Sequence, residues 1–360
     1  MILLNPGPVN VSERVRQALL RPDICHRESE FNELQLRIQD KLLKAFVPGA
    51  EAEYAAVLIT GSGTAAVESA LMSAIPHGKR VLVLNNGVYG ERLSQMVGLH
   101  RLGVSELKYD WTTRPDPERL RLALRQHPEV HAVAMVHHET TTGLINPVKE
   151  IADVVDSQNR VFILDTVSGL GGEAIDVAGS HIYMAAGTAG KCIQGFPGVS
   201  FVLVRKGFLE RMRQYPKRSW YLHLTHYVDD QGRGTIPFTP AVQAFYGFDE
   251  ALSELLEEGV ANRIQRYKKA ATLIRGRMAK LGIKPMLTPE RQSNTITAYS
   301  LPDGVTYAQL HDRLKAQGYV IYAGQGQLEH KIFRVANMGA LTEAQLTGFL
   351  DAFEQACKPA

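Results

Sequence analysis

Lys191 sits in AAGTAGKCIQGFPG (185–198), between two apolar runs, with no other charged residue from about 182 to 204. A lone lysine is usually a solvated surface charge. Burial between strands disfavours the ammonium form and lowers the pKa, which is what an imine-forming amine requires. GTAGK has the look of a phosphate loop. That pattern needs Gly at 185 and Ser or Thr at 192, and the chain has Ala185 and Cys192. Asp165 stands 26 residues earlier, in LDTVSGLGG (164–172), where an apolar run ends. Strand carboxyl ends line the ligand crevice of open α/β sheets. An aspartate there is either a helix cap or solvated strand end, or a counter-ion for a cationic heterocycle or a metal.

Three further segments could serve such a site. GSGTAAVES (61–69) offers glycines for close backbone approach, free N–H groups at a helix start and the hydroxyls of Ser62 and Thr64. Its bland reading is a capped loop, and it does not match G-x-G-x-x-G because position 66 is Ala. NNGVYGER (85–92) sets Tyr89 between two glycines, either as packing or as a ring that stacks on a heterocycle. HHETTTGLINP (137–147) is a hydroxyl-rich segment whose bland reading is a turn leading into a helix near Pro147. Adjacent strand residues point to opposite faces, so His137 and His138 are poorly disposed to share one metal ion.

The elements that must hold these residues are short apolar runs alternating with helical patterns. The runs are AAVLIT (55–60), RVLVLNN (80–86), HAVAMVHH (131–138), RVFILDTV (160–167), HIYMAAG (181–187) and VSFVLVRK (199–206). They are nearly continuous in apolar character, as strands buried on both faces are. The alternation predicts an α/β sheet with mostly parallel pairing. From about 241 to 282 the spacing predicts one long helical stretch. Short strands (NTITAYSL, YVIYAG, KIFRVAN) and helices (TYAQLHDRLKAQ, TEAQLTGFLDAFEQA) follow, predicting a smaller C-terminal α+β domain.

Composition bounds the rest. Hydrophobic residues make up 45% and charged residues 21%, ordinary for a chain with a real core. Net charge is +3 and no basic run stands out, which argues against a nucleic-acid partner. Cys25, Cys192 and Cys357 form no disulfide framework and no metal-binding spacing. MILLNPGPVN lacks the form of a signal peptide and no apolar stretch approaches the ~20 residues of a bilayer span. The expectation is a cytoplasmic protein with no membrane partner.

Taken together, NPGPVNVS, GSGTAAVE, NNGVYGER, HHETTTGLINP, LDTVSGLGG, KCIQGFPG, FTPAVQAF and FRVANMG make the chain resemble the class V aminotransferases of pyridoxal-5′-phosphate (PLP) fold type I. Within that family the wording is nearest to the branch acting on 2-aminoethylphosphonate and pyruvate. The resemblance implies an N-terminal arm (1–15), a large PLP-binding domain (16–250) with a mostly parallel central sheet, and a small C-terminal domain (251–360). It implies a homodimer with active sites at the interface, acting on an aminophosphonate or amino acid and a 2-oxo acid. Lys191 would be the Schiff-base lysine and proton shuttle, and Asp165 the partner of the pyridine nitrogen. Tyr89 would stack on the ring. Ser62, Gly63 and Thr64, with Thr188 as a further hydroxyl, would hold the phosphate. Thr141 would bond the phenolic oxygen, Thr239 would reach the phosphate from the partner subunit, and Arg334 would fork onto the substrate's acid group. The chain departs from the family before the lysine, where Gly187–Gly190 stands in place of a run with serine and a polar neighbour. An alanine- or serine–glyoxylate transaminase, and a PLP-dependent lyase, remain as alternatives; neither Cys192 nor Cys25 suits a desulfurase's mobile cysteine.

Overall fold

The computed structural model describes residues 1–357. Five of the apolar runs become strands of a seven-stranded sheet, and a sixth run supplies its antiparallel strand. In chain order the first half holds β1 (Ile2–Leu3), α1 (Glu13–Ala18), α2 (Ser29–Phe46), β2 (Tyr54–Gly61), α3 (Gly63–Ser73), β3 (Arg80–Asn85), α4 (Val88–Leu99), β4 (Gly103–Lys108), α5 (Pro117–Gln126) and β5 (Val130–Val136). A small hairpin, β6 (His138–Glu139) and β7 (Leu144–Ile145), precedes α6 (Val148–Ser157), β8 (Val161–Asp165), β9 (Met184–Thr188) and β10 (Gly198–Arg205). The sheet order is β2-β10-β9-β8-β5-β3-β4. Only β10 runs antiparallel to its neighbours, so the carboxyl ends of β3, β5, β8 and β9 share one edge.

The pleat explains the continuous apolar runs. Leu82, Leu84, Val133, Met135, Phe162 and Leu164 pack on one face against α2, α5, α6 and a later helix. Their neighbours Val81, Val83, Ala132, Ala134, Val161 and Ile163 pack on the other against α3 and α4. Both faces are covered, so neither register position can be polar. At the sheet margin, β2 has an outer edge that pairs with no strand among the described residues. Gln231 donates its amide to Leu58 O at 2.7 Å and accepts from Leu58 N at 3.1 Å, and Gln39 donates to Ala56 O at 2.8 Å.

The remaining elements are α7 (Lys206–Met212), α8 (Leu224–Gly232), α9 (Val242–Glu258), α10 (Val260–Lys280), β11 (Ile296–Ser300), α11 (Tyr307–Ala316), β12 (Tyr319–Val320), β13 (Tyr322–Ala323), β14 (Ile332–Ala336) and α12 (Glu343–Ala356). The single helical stretch expected over 241–282 is two helices. Gly259 adopts φ +82, a left-handed conformation that ends α9 and turns the chain into α10. The core changes along this segment: Leu255 belongs to the first large-sheet core, whereas Ile274 and Met278 pack with Tyr299 and Phe333 of the antiparallel sheet β11-β14-β13 and with Phe353 of α12. The start of the chain is built into that second unit. β1 pairs parallel with β12, Ala336 N donates to Leu4 O, and Asn10 bridges Gly339. From Glu13 onward α1 lies instead on α9, fixed by Arg14 to Glu250 and Glu257. Among the described residues no helix is long and apolar enough to cross a membrane.

Candidate active site

β8 and β9 are parallel neighbours, with Asp165 opposite Ala186. Their carboxyl ends therefore deliver Asp165, Thr188 and, three residues on, Lys191 to one place. The Lys191 amine donates to the carbonyl of Pro6, carried in by the N-terminal segment. A Cβ on Gly7 would lie 2.5 Å from that amine, and the chain passes here at φ +118, a conformation that favours glycine. Burial brings the Lys191 pKa down to about 8, with Asp165 pulling the other way. Burial lifts the Asp165 carboxyl to about 6, against the Val167 N–H at 2.9 Å and the charges of Arg92 and Lys191.

The first turn of α3 abuts these strand ends. A Cβ on Gly63 would meet the Val167 methyls at 2.7 Å and Thr188 Cβ at 3.3 Å. Ser62 is the N-cap of α3 without using its side chain, and both Ser62 and Thr64 are exposed. The helix thus begins in two open hydroxyls and uncapped N–H groups, an anion-binding arrangement. Thr188 is buried and its hydroxyl donates to Val199 O at 3.2 Å.

Glu139 organises the opposite wall. Its carboxylate, fully buried, accepts from Tyr89 N (3.1 Å), Gly90 N (3.3 Å), Thr141 N (3.1 Å) and the Thr141 hydroxyl (2.6 Å). It caps α4, the helix that carries Tyr89 and Arg92. Burial raises its pKa, and these four donors oppose that rise. The Thr141 hydroxyl also accepts from Val88 N at 3.3 Å. Tyr89 is half-buried, with the Arg92 guanidinium 4.6 Å from its ring centre.

Arg334 comes from β14. It is 2% exposed, and its Nε and Nη1 donate to Ala323 O, Thr140 O and Gln325 Oε1 at 2.8–3.1 Å. All three partners are neutral oxygens. Burial lowers its pKa. The bond to Thr140 ties this arginine to the residue beside Glu139, so the two walls are one assembly.

Residues 62–64, 89, 141, 165, 188, 191 and 334 thus converge. Thr239 is not drawn in: it stands exposed on the coil before α9, and two residues on Ala241 N donates to Thr60 Oγ1. His137 falls between β5 and β6, and His138 opens β6. His138 Nδ1 lies 3.1 Å from Ser168 O, while His137 Nδ1 faces Gly169.

The "Aminotransferase class-V" profile matches residues 28–340. The chain belongs to the class V aminotransferases. The enzyme is 38% identical over 363 residues to a 2-aminoethylphosphonate–pyruvate transaminase of Aeromonas hydrophila, covering 99% of this chain and 95% of that one. It is 38% identical over 346 residues to a namesake of Syntrophobacter fumaroxidans, covering 94% and 91%. Among solved structures it resembles an alanine–glyoxylate aminotransferase of Nostoc sp. (TM-score 0.94, 27% identity, 99% and 95% covered) and an aspartate aminotransferase of Thermus thermophilus (TM-score 0.90, 28% identity, 99% of both). These relatives bear out the α/β transferase fold expected of the enzyme.

Glu139 was visible in the sequence only as a letter of HHETTTGLINP, and Pro6 and Gly7 only as letters of NPGPVNVS. A buried acid that caps a helix fifty residues away has no local spacing signature; its one trace is the pairing of HHETTT with a glycine-started helix. The tight fit at Gly63 yields a direct test. Gly63→Ala forces a methyl against Val167 and should weaken cofactor retention roughly 5- to 150-fold, from ~1–3 kcal/mol of overpacking. The check is a titration of the cofactor-free protein with PLP, followed by absorbance.

Proposed function

We propose that the enzyme binds PLP and moves the amino group of 2-aminoethylphosphonate to pyruvate, giving phosphonoacetaldehyde and L-alanine. The observation that carries the reading is the near-full-length identity to relatives of that name, joined to a buried arginine whose partners are all neutral.

The residues fit the cofactor. Open hydroxyls at Ser62 and Thr64 with the α3 N-terminus suit a phosphate, and the Gly63 backbone lies hard against Val167 where no side chain could fit. Asp165 suits a protonated ring nitrogen: its raised pKa in the cofactor-free protein reflects burial, and a cation beside it favours the ionised form. When bound, PLP supplies an electron sink for the carbon that loses its proton. Lys191, whose amine burial makes easier to deprotonate, would hold the cofactor through its Nζ, and the same amine, once released, would carry the proton. Tyr89, fixed by Glu139, provides an aromatic face, and the Thr141 hydroxyl lies on the same wall. Thr239 would act across a homodimer interface.

Arg334 orients the acid group in both half-reactions. A guanidinium fork serves carboxylate and phosphonate alike, which lets one site take the donor and then the acceptor. A second reading, glyoxylate-type transfer from alanine or serine, is favoured by the likeness to the Nostoc alanine–glyoxylate aminotransferase. The two are separated by mixing the PLP-loaded enzyme with one amine at a time. Under the first reading, 2-aminoethylphosphonate alone converts the cofactor to its amine form, read as loss of the visible absorbance band, and pyruvate restores it. Conversion by alanine or serine but not by the aminophosphonate would overturn it.

A further inference from the structure

The backbone around Lys191 is held by a buried hydroxyl from the other unit of the fold. Tyr267, in α10, is 1% exposed. Its hydroxyl makes three hydrogen bonds: it donates to Cys192 O (3.2 Å) and accepts from Gln194 Nε2 (2.7 Å) and from Gly339 N (3.2 Å). That fills one donor site and both lone pairs. Gln194 shares its second amide hydrogen with Gly339 O at 2.8 Å, while its own backbone N–H donates to Lys191 O at 2.9 Å. Arg263, one turn earlier in α10, adds a second donor to Cys192 O at 3.2 Å and is itself neutralised by Glu258.

Two segments therefore meet at one oxygen, and a third joins through the second of them. The first is the turn that carries Lys191. The second is the Gly339 turn, five residues beyond Arg334 in the chain leaving β14. The third is the N-terminal segment, because Ala340 N donates to Asn10 O and a Cβ on Gly339 would lie 2.8 Å from that carbonyl. The same segment presents Pro6 O to the Lys191 amine. Gln194 holds φ +68, a conformation that non-glycine residues rarely adopt, and its side-chain bonds fix it there. Gly190, immediately before the lysine, offers no side chain for anchorage, so the turn is held from its far side.

We propose that Tyr267 and Gln194 are positioning residues for amino transfer, locking the Lys191 turn to the Gly339 turn so that the lysine amine keeps a fixed offset from the acid-binding arginine. The proposal rests on the reading of Lys191 and Arg334 given above. Neither side chain touches substrate; each acts through the backbone. A displacement of about 1 Å at a proton-carrying group can lower a rate on the order of 100-fold. An ordinary core tyrosine would instead affect stability alone.

The test uses PLP-loaded enzyme and two variants, Tyr267→Phe and Gln194→Met, each keeping the side-chain volume. Single-turnover rates with 2-aminoethylphosphonate and with alanine are measured, together with KM for pyruvate and the pH titration of the visible absorbance band. The expected result is a rate about 10- to 100-fold lower with KM within about threefold of the parent, and a shifted titration midpoint. Borohydride still fixes the cofactor to Lys191 in both variants. Single-turnover rates within twofold of the parent in whichever variant folds, whatever the loss of thermal stability, would overturn the proposal. If borohydride fails to fix the cofactor at Lys191 in the parent enzyme, the reading of Lys191 falls instead, which keeps the two failures apart.

Discussion

Lys191→Ala is expected to abolish amino transfer while leaving a folded protein that still binds PLP weakly. The acid–base contribution alone accounts for roughly 10²–10⁴-fold, and the covalent link is lost as well. The visible band of the lysine-linked cofactor disappears, and borohydride no longer fixes PLP to the chain. A variant that kept more than a few per cent of the parent rate would remove Lys191 from the mechanism. The pH dependence follows from burial. With a pKa near 8, about a tenth of the amine is neutral at pH 7, against roughly 0.03% at the ordinary value of 10.5. Labelling of Lys191 by acetic anhydride in the cofactor-free protein, followed peptide by peptide, therefore rises through about pH 8. The sign for stability is fixed too. A lysine whose pKa is depressed in the native state binds fewer protons there than in the unfolded chain, so this group destabilises the cofactor-free fold below about pH 8 and the cost fades as pH climbs toward the ordinary value. Lys191→Met, which keeps bulk and removes charge, should raise the melting temperature of the cofactor-free protein at pH 7 more than at pH 10.

Arg334→Lys should cost nearly as much in kcat/KM. Removing the planar fork from a buried charged contact typically costs about 2–5 kcal/mol, or roughly 30- to several-thousand-fold. A lysine ammonium cannot reproduce the bonds to Ala323 O, Thr140 O and Gln325 while also facing an acid group. The loss should fall mainly on KM and on both substrates, as the proposal that one arginine orients donor and acceptor requires. Steady-state kinetics with each substrate varied in turn decides this. If KM rose for pyruvate and not for 2-aminoethylphosphonate, the phosphonate would be read elsewhere. Arg92, whose charge reaches both Asp165 and Lys191, would be the next group to examine.

The large sheet was legible because both its faces are buried. Strands such as RVLVLN and VFILD read as unbroken apolar runs, and Asp165 stands out as the first charge at the end of one. Lys191 was legible for the converse reason, as the sole charge in an apolar stretch. The break at Gly259 was less so, because the apolar spacing continues in phase on both sides of it. Of residues 2–10 the resemblance implied an arm, but their partners could not be read from spacing. Their pairing with β12 and Gly339 is a contact across more than 300 residues, and two-residue strands leave no periodicity. Glu139 and Tyr267 share that property. Their importance lies in which distant N–H or carbonyl they meet, and a side chain's type says only that it needs a partner.

The two glutamines on β2 carry a consequence for how this chain behaves in a crowd. AAVLIT is short, apolar and rich in residues that favour extended structure, the kind of segment on which another molecule's strand can template itself. In the folded protein Gln231 and Gln39 occupy the bonds that such an intruder would make at Leu58 and Ala56. These side chains arrive on α8 and α2, one of them more than 170 residues downstream. Until α8 has been synthesised and has docked, the margin of the sheet lies open. Protection against fibril-like stacking is thus acquired late, and any lesion that loosens α8 would expose the chain to it without touching the chemistry.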